Sequence, residues 1–222
     1  MFKNFLKNIY LKIFGRYQLL SLLSREIKDD WTILDVGCGQ SSLLQFIPKG
    51  ENSWWVGLDY FEPYIIESRK KKIHDDYILS DARFLPFEDN SFDCAIAIEV
   101  IEHLNKSDGL KMIKEMERVA KKKIILTTPN GFFNALSGPN ALNPQEKHIS
   151  GWTVKDFKNL GFRIYGSGSL KIFWQAAPGK IIMKFRPQKL FILFAGILNP
   201  FVYYYPSLAF RLFCIKDLED KN

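Results

Sequence analysis

The stretch Ile33-Leu34-Asp35-Val36-Gly37-Cys38-Gly39-Gln40-Ser41-Ser42-Leu43-Leu44 decides how the rest of the chain is read. Apolar and β-branched residues lead into an acid, two glycines follow at alternate positions, and a new apolar pattern begins. That order predicts a buried strand, a tight turn and a helix start. Gly37 and Gly39 have no Cβ, so the turn can take unusual dihedrals and let a ligand approach the backbone. A helix N-terminus beyond the turn would offer unsatisfied N–H groups to polar or anionic ligand atoms. Asp35 falls at the carboxyl end of the strand, where open α/β sheets bind ligands. An acid about 20 residues further on, Asp59, also fits a dinucleotide site, but Ser42 stands where that fingerprint wants its third glycine.

Outward from this stretch, strands alternate with helices. Trp54-Trp55-Val56-Gly57-Leu58-Asp59-Tyr60 reads as a second buried strand, and Asp59 can accept two hydrogen bonds from a ribose diol. Pro63 suits the first turn of the next helix. Tyr77-Ile78-Leu79-Ser80-Asp81-Ala82 is a third strand, again ending in an acid. The turn-rich loop 85–93 leads to a fourth strand, 94–98, and then to Glu99-Val100-Ile101-Glu102-His103-Leu104. Residues 106–120 form an amphipathic helix, 123–128 a fifth strand, 153–160 a helix with Thr153 as cap and Asp156 in its first turn, and 161–166 a sixth strand. The alternation predicts an α/β fold with a doubly wound, parallel sheet. Asp35, Asp59 and Asp81 end three successive strands and imply a ligand with several hydroxyl and amine donors.

Length and composition fit this plan. A chain of 222 residues, 47% hydrophobic and 25% charged, is read as a single globular domain, 1–222. Its net charge of +7 favours anionic partners without choosing among phosphate sugars, nucleic acid and lipid headgroups. Cys38, Cys94 and Cys214 form no C-x-x-C pair, so neither a disulfide framework nor a zinc site is expected, and a reducing cytoplasm fits best. No metal and no secretory signal are expected. Residues 1–28 form an N-terminal amphipathic segment, with Lys3, Lys7 and Lys12 between large apolar residues. It would pack over the sheet or lie on a membrane surface.

Taken together, the motifs resemble the class I S-adenosylmethionine-dependent methyltransferases, in the small-molecule, type 11-like branch. Asp35-Val36-Gly37-Cys38-Gly39 resembles the family's first motif, and Asp59 matches its ribose-binding acid. Asp81-Ala82 with Leu85-Pro86-Phe87 matches the adenine-binding stretch. Phe92-Asp93 with Glu99-Val100-Ile101-Glu102-His103-Leu104 matches the fourth-strand motif. The similarity covers roughly residues 30–170, and Ser41 departs from the glycine that many members carry. It implies a Rossmann-like, seven-stranded, mostly parallel sheet closed by an antiparallel strand near 210–215. It also implies S-adenosyl-L-methionine as cofactor, bound by Asp35, Gly37, Cys38, Gly39, Asp59, Tyr60, Asp81, Ala82 and Glu99. In that scheme Gly37 and Gly39 pass under the methionine part, Asp59 holds the ribose hydroxyls, Asp81 and the Ala82 N–H face the adenine, and Glu99 lies near the methionine end.

His103 is the candidate general base, since its unperturbed pKa lies near neutrality. His148, in Asn143-Pro144-Gln145-Glu146-Lys147-His148-Ile149-Ser150-Gly151-Trp152, is the second candidate catalytic residue, as an acceptor contact. His74, beside Asp75 and Asp76, is expected to be exposed. Residues 175–207 read as an apolar helical insert, interrupted at Asn199-Pro200, serving as a lid, an oligomer contact or a membrane-surface anchor. The leading expectation is methyl transfer to a small-molecule or glycan/lipid-linked acceptor, with no nucleic-acid partner, in the cytoplasm or peripherally on the membrane. A homodimer is the oligomer reading. A nucleic-acid methyltransferase and a non-catalytic cofactor-binding module are the alternatives.

Overall fold

The computed structural model describes residues 18–134, 143, 146–177, 180–184 and 197–218. Strand β1 (Ile33–Val36) and β2 (Trp55–Asp59) are buried at every position, as continuous apolar runs in a sheet covered on both faces should be. They lie in a seven-stranded sheet of order β3-β2-β1-β4-β5-β9-β6, formed by β3 (Asp76–Leu79), β4 (Phe92–Ile98), β5 (Ala120–Pro129), β6 (Arg163–Leu170) and β9 (Ala209–Asp217). β9 runs antiparallel to both neighbours, and the other strand pairs are parallel. The expected doubly wound, mostly parallel, seven-stranded α/β sheet is therefore the observed one.

Side-chain alternation divides the core between the two faces. Leu34, Val36, Ala95, Ala97 and Ile124 point to one side, where they meet Met112, Ile113, Met116 and Val119 of helix α3 (Lys106–Val119). Ile33, Ile96 and Ile125 point to the other, where Leu22 and Leu23 of α1 (Leu19–Glu26) cover them. The described end of the N-terminal segment thus packs on the sheet, and residues 1–17 lie outside the described residues. α2 (Glu62–Lys71) has Pro63 in its first turn. α4 (Val154–Asn159) is closed by a reciprocal capping box between Thr153 and Asp156.

Two expectations are corrected. The glycine turn opens no α-helix. It leads into a single 3-10 turn, Leu43–Phe46, capped by Ser42 Oγ, which accepts from Leu44 N at 3.1 Å. Pro48 disfavours helical backbone at Ile47, which is extended (φ −101°, ψ 133°), so the helix stops after one turn. The helix N-terminus that a dinucleotide pyrophosphate would need is therefore not built here. The insert also begins as a hairpin pairing of β7 (Trp174–Ala177) with β8 (Lys180–Met183), and not as a helix. Asn199-Pro200 starts the short helix α5 (Asn199–Tyr204), where Pro200 in the first turn needs no N–H partner. Residues 185–196 lie outside the described residues.

Candidate active site

A cavity of about 530 Å³ opens at the carboxyl ends of β1, β2 and β4, within the roughly 300–1,000 Å³ typical of small-molecule sites. Gly37, Cys38 and Gly39 form one wall. Gly37 (φ +71°) leaves no room for a side chain, because a Cβ there would lie 2.5 Å from Val100 Cγ2. Gly39 (φ +57°) has nothing within 4 Å of a Cβ position and so presents bare backbone to the cavity. Gly39 N donates to Asp59 Oδ2 and Phe61 N to Asp59 Oδ1, both at 2.8 Å. These bonds fix the carboxylate while leaving each oxygen a further lone pair. Burial raises the Asp59 carboxyl above its usual range despite the two amides. A ligand donating two hydroxyls would relieve that burial cost, so the residues present fit the ribose end of S-adenosylmethionine.

The other predicted cofactor residues divide. Tyr60, Asp81, Ala82 and Glu99 line the cavity. The Arg83 guanidinium engages the Asp81 carboxylate through Nε and Nη2 and holds it below the usual carboxylate range. Cys38 is buried, and that burial pushes its thiol upward, so it is no nucleophile. Asp35 does not line the cavity. It is buried beneath the floor, with Oδ2 at 3.0 Å from His74 Nε2. His74, expected at the surface, is itself buried, in space that Gly57 keeps open. A Cβ on Gly57 would lie 2.8 Å from His74 Nδ1. Two of the three strand-end acids therefore reach the ligand space, and the third is structural.

The far wall is made by the turn after β4. Glu99 has φ +57°, a strained conformation for a residue with a side chain. It is held by Thr127 Oγ1, which donates to Oε1 at 3.0 Å, and by Arg211 Nε at 2.9 Å from the same oxygen. His103 closes the 3-10 turn Ile101–His103 and reaches the cavity. The Glu102 carbonyl accepts from Ile149 N (2.9 Å) and Ser150 N (3.1 Å), which pins the loop carrying His148 against that turn. Trp152, buried over Gly109 of α3, anchors the loop's other end, while the Tyr64 hydroxyl donates to Glu146 from α2. The two candidate catalytic histidines are thereby brought together, edge to face, with ring centroids 5.0 Å apart.

The electrostatics of this wall are uneven. His103 Nδ1 donates to the Lys147 carbonyl at 3.3 Å, and His148 hydrogen-bonds the backbone at Phe133. Burial lowers both imidazole pKa values, and at His148 the neighbouring His103 adds to the effect. Glu102 is buried with neither carboxylate oxygen hydrogen-bonded, and burial with nearby Glu99 pushes its carboxyl well above the usual range. Arg211 and Arg83 were not anticipated from the sequence. A lone arginine in the apolar run Phe210-Arg211-Leu212-Phe213 was the available signal, because a charge in a buried strand needs a partner.

Residues 34–127 match the family model described as Methyltransferase domain. An uncharacterized protein of Methanocaldococcus jannaschii is 29% identical over 160 residues, 69% of this chain and 65% of that one. Human Probable tRNA methyltransferase 9B is 34% identical over 96 residues, 43% of this chain and 20% of its own length. Sterol 24-C-methyltransferase ERG6B of Gibberella zeae is 32% identical over 113 residues, 48% of this chain and 27% of its own. The chain spans less than two thirds of each of these relatives. Among solved structures, the methyltransferase domain of bacterial CtHen1 matches with a TM-score of 0.57 and 16% identity, over 91% of this chain and 98% of that one, a likeness of fold. Sheet order, glycine turn and the family match at 34–127 together support a class I S-adenosylmethionine-dependent methyltransferase.

Proposed function

We propose that the protein methylates a small-molecule or glycan/lipid-linked acceptor, taking the methyl group from S-adenosylmethionine. Bound S-adenosylmethionine supplies a methyl group on a cationic sulfur. The carrying observation is that one cavity joins a backbone-fixed acid, Asp59, to a histidine, His103, across the glycine turn. In this reading Asp59 holds the ribose hydroxyls and the Gly37–Gly39 backbone lies under the methionine part. Ala82 and Asp81 face the adenine, and Glu99 faces the methionine end. His103 and His148 face the acceptor. Positioning of that acceptor is the main catalytic contribution asked of the chain.

A lipid-linked acceptor draws support from the surface beside the site. Ile197, Phe201, Tyr204, Tyr205 and Leu208 are exposed. Asn130, just past β5, donates to the carbonyls of Pro206 and Ser207, so this apolar patch borders the sheet end on which the cavity opens. Among the described residues no helix is long and apolar enough to cross a membrane. Peripheral contact is the form this reading takes. Co-sedimentation with anionic vesicles should be seen at low salt and weaken as salt rises. A protein that stays in the supernatant leaves the patch to self-association or a soluble acceptor.

The relatives named for tRNA and for a sterol are about equally similar to this chain, so likeness alone carries no acceptor. They give no support to leaving nucleic acid out, and the +7 charge favours polyanions. Incubation with methyl-labelled cofactor and a cell extract decides the matter. Label in lipid or polar metabolites supports the proposal, and label confined to RNA replaces it with the nucleic-acid reading.

A further inference from the structure

We propose that Glu102, His103 and His148 form a site for a divalent transition-metal ion at the acceptor end of the cavity. Their ligand atoms all lie within 4.8 Å of one another. Two ligands each about 2.0–2.2 Å from a common ion stand at most about 4.4 Å apart, so small side-chain adjustments close the site. Binding of the ion does not depend on the methyl-transfer reading. Only the use made of it rests on that reading.

Three independent features point to a cation. First, the Glu102 carboxylate is buried and neither oxygen has a hydrogen-bond partner. A buried carboxylate without a partner is costly, and a cation is the partner that would remove the cost. The nearby Arg211 is bonded to Glu99 at 2.9 Å and acts on Glu102 only through space, so neither Glu102 oxygen has a direct partner. Second, His103 donates Nδ1–H to the Lys147 carbonyl, which fixes the tautomer and leaves the Nε2 lone pair for a ligand. Metal-binding histidines are oriented in this way. Third, the placement is rigid. Glu102 and His103 share one short turn, and His148 is held to it by the Ile149 and Ser150 amides on the Glu102 carbonyl.

The donor set selects the class of ion. Two imidazoles and one carboxylate, with no thiolate, suit Mn²⁺, Fe²⁺, Co²⁺ or Zn²⁺ better than Ca²⁺ or Mg²⁺. Three protein ligands also leave coordination positions for a ligand from the cavity, the arrangement of a catalytic site and not of a structural one. An oxygen acceptor fits there. A hydroxyl coordinated to the ion releases its proton to solvent more readily and is held at a fixed position beside the cofactor space. The expectation of no metal rested on cysteine spacing, which does not register a carboxylate–imidazole set.

The test uses the full-length protein, stripped with chelator and titrated with Mn²⁺, with bound ion read from the loss of the free-ion electron paramagnetic resonance signal. Affinity for S-adenosylhomocysteine is measured on the same samples by calorimetry. One Mn²⁺ per chain is expected, displaced by Zn²⁺, with affinity falling on the order of a hundredfold in Glu102→Gln and His148→Ala while S-adenosylhomocysteine binding persists. Glu102→Gln keeps the side-chain shape and guards against loss of fold. Protein that binds S-adenosylhomocysteine but neither Mn²⁺ nor Zn²⁺ overturns the site, as does metal binding that both substitutions leave unchanged. Loss of S-adenosylhomocysteine binding with metal binding intact would instead defeat the cofactor reading.

Discussion

His74 and Asp35 meet at 3.0 Å beneath the cavity floor, each the other's partner and both closed off from solvent. A few residues beyond the end of β4, His103, His148 and Glu102 come together with similar chemistry and the opposite outcome. Their imidazoles are tied to backbone carbonyls, and their carboxylate has no hydrogen bond. In the first pair the carboxylate already holds its partner through His74 Nε2, and nothing in it faces the cavity. In the second trio neither carboxylate oxygen has a hydrogen bond, and burial pushes the carboxyl up towards its neutral form. Imidazole and carboxylate groups thus serve cohesion in one place and, in the proposed reading, binding in the other, and the difference lies in what each carboxylate already holds.

The contrast makes ranked demands. His74→Ala should be the most damaging to stability, since it leaves the buried Asp35 carboxylate without its partner and opens a cavity. A loss of about 3–5 kcal/mol is expected in denaturant unfolding. A variant as stable as the parent would dissolve the distinction at once. Asp59 stands between the two cases, fixed by amides yet open to ligand. Asp59→Ala should lower S-adenosylhomocysteine affinity on the order of tenfold to a hundredfold, matching about 1.5–3 kcal/mol for hydrogen bonds to a charged group. Calorimetry on the folded variant checks this, and an unchanged dissociation constant would remove Asp59 from the site. The smallest effect is expected from Glu102→Gln in the metal-free protein. It should unfold within about 1 kcal/mol of the parent, because burial already favours the neutral carboxyl and an uncharged amide of the same shape replaces it. Turnover should fall in the same variant. Destabilisation like that of His74→Ala would make Glu102 a second cohesive acid.

Much of this architecture is legible in the amino-acid order, and the illegible part has a common cause. Apolar runs ending in Asp35, Asp59 and Asp81 mark the strands, and Thr153 with Asp156 marks a helix start that the structure reproduces as a capping box. Such signals are local. A strand end facing the crevice assigns Asp35 to the ligand, but its side chain meets His74, 39 positions away in the chain. His74 looked exposed because Asp75 and Asp76 follow it, while the space it fills is made by Gly57 on another strand. Arg211 meets Glu99 across 112 positions. Pairing between distant strands is set by sheet order, which periodicity does not encode. The short turn after the glycines has a different cause, since Pro48 overrides an apolar pattern that otherwise suits a helix.

The position of β9 has a consequence for synthesis. Of the seven strands it is the last translated, yet it lies between β5 and β6 and pairs with both. While the chain emerges from the ribosome, β1 to β5 can assemble in order, but β6 has no sheet neighbour to join until residues 209–217 follow it out. Arg211 arrives on that same strand, so Glu99 spends the interval without its cation. The part of the sheet from β1 to β5 can therefore form during translation, whereas the Glu99–Arg211 contact forms only once β9 has threaded into the gap.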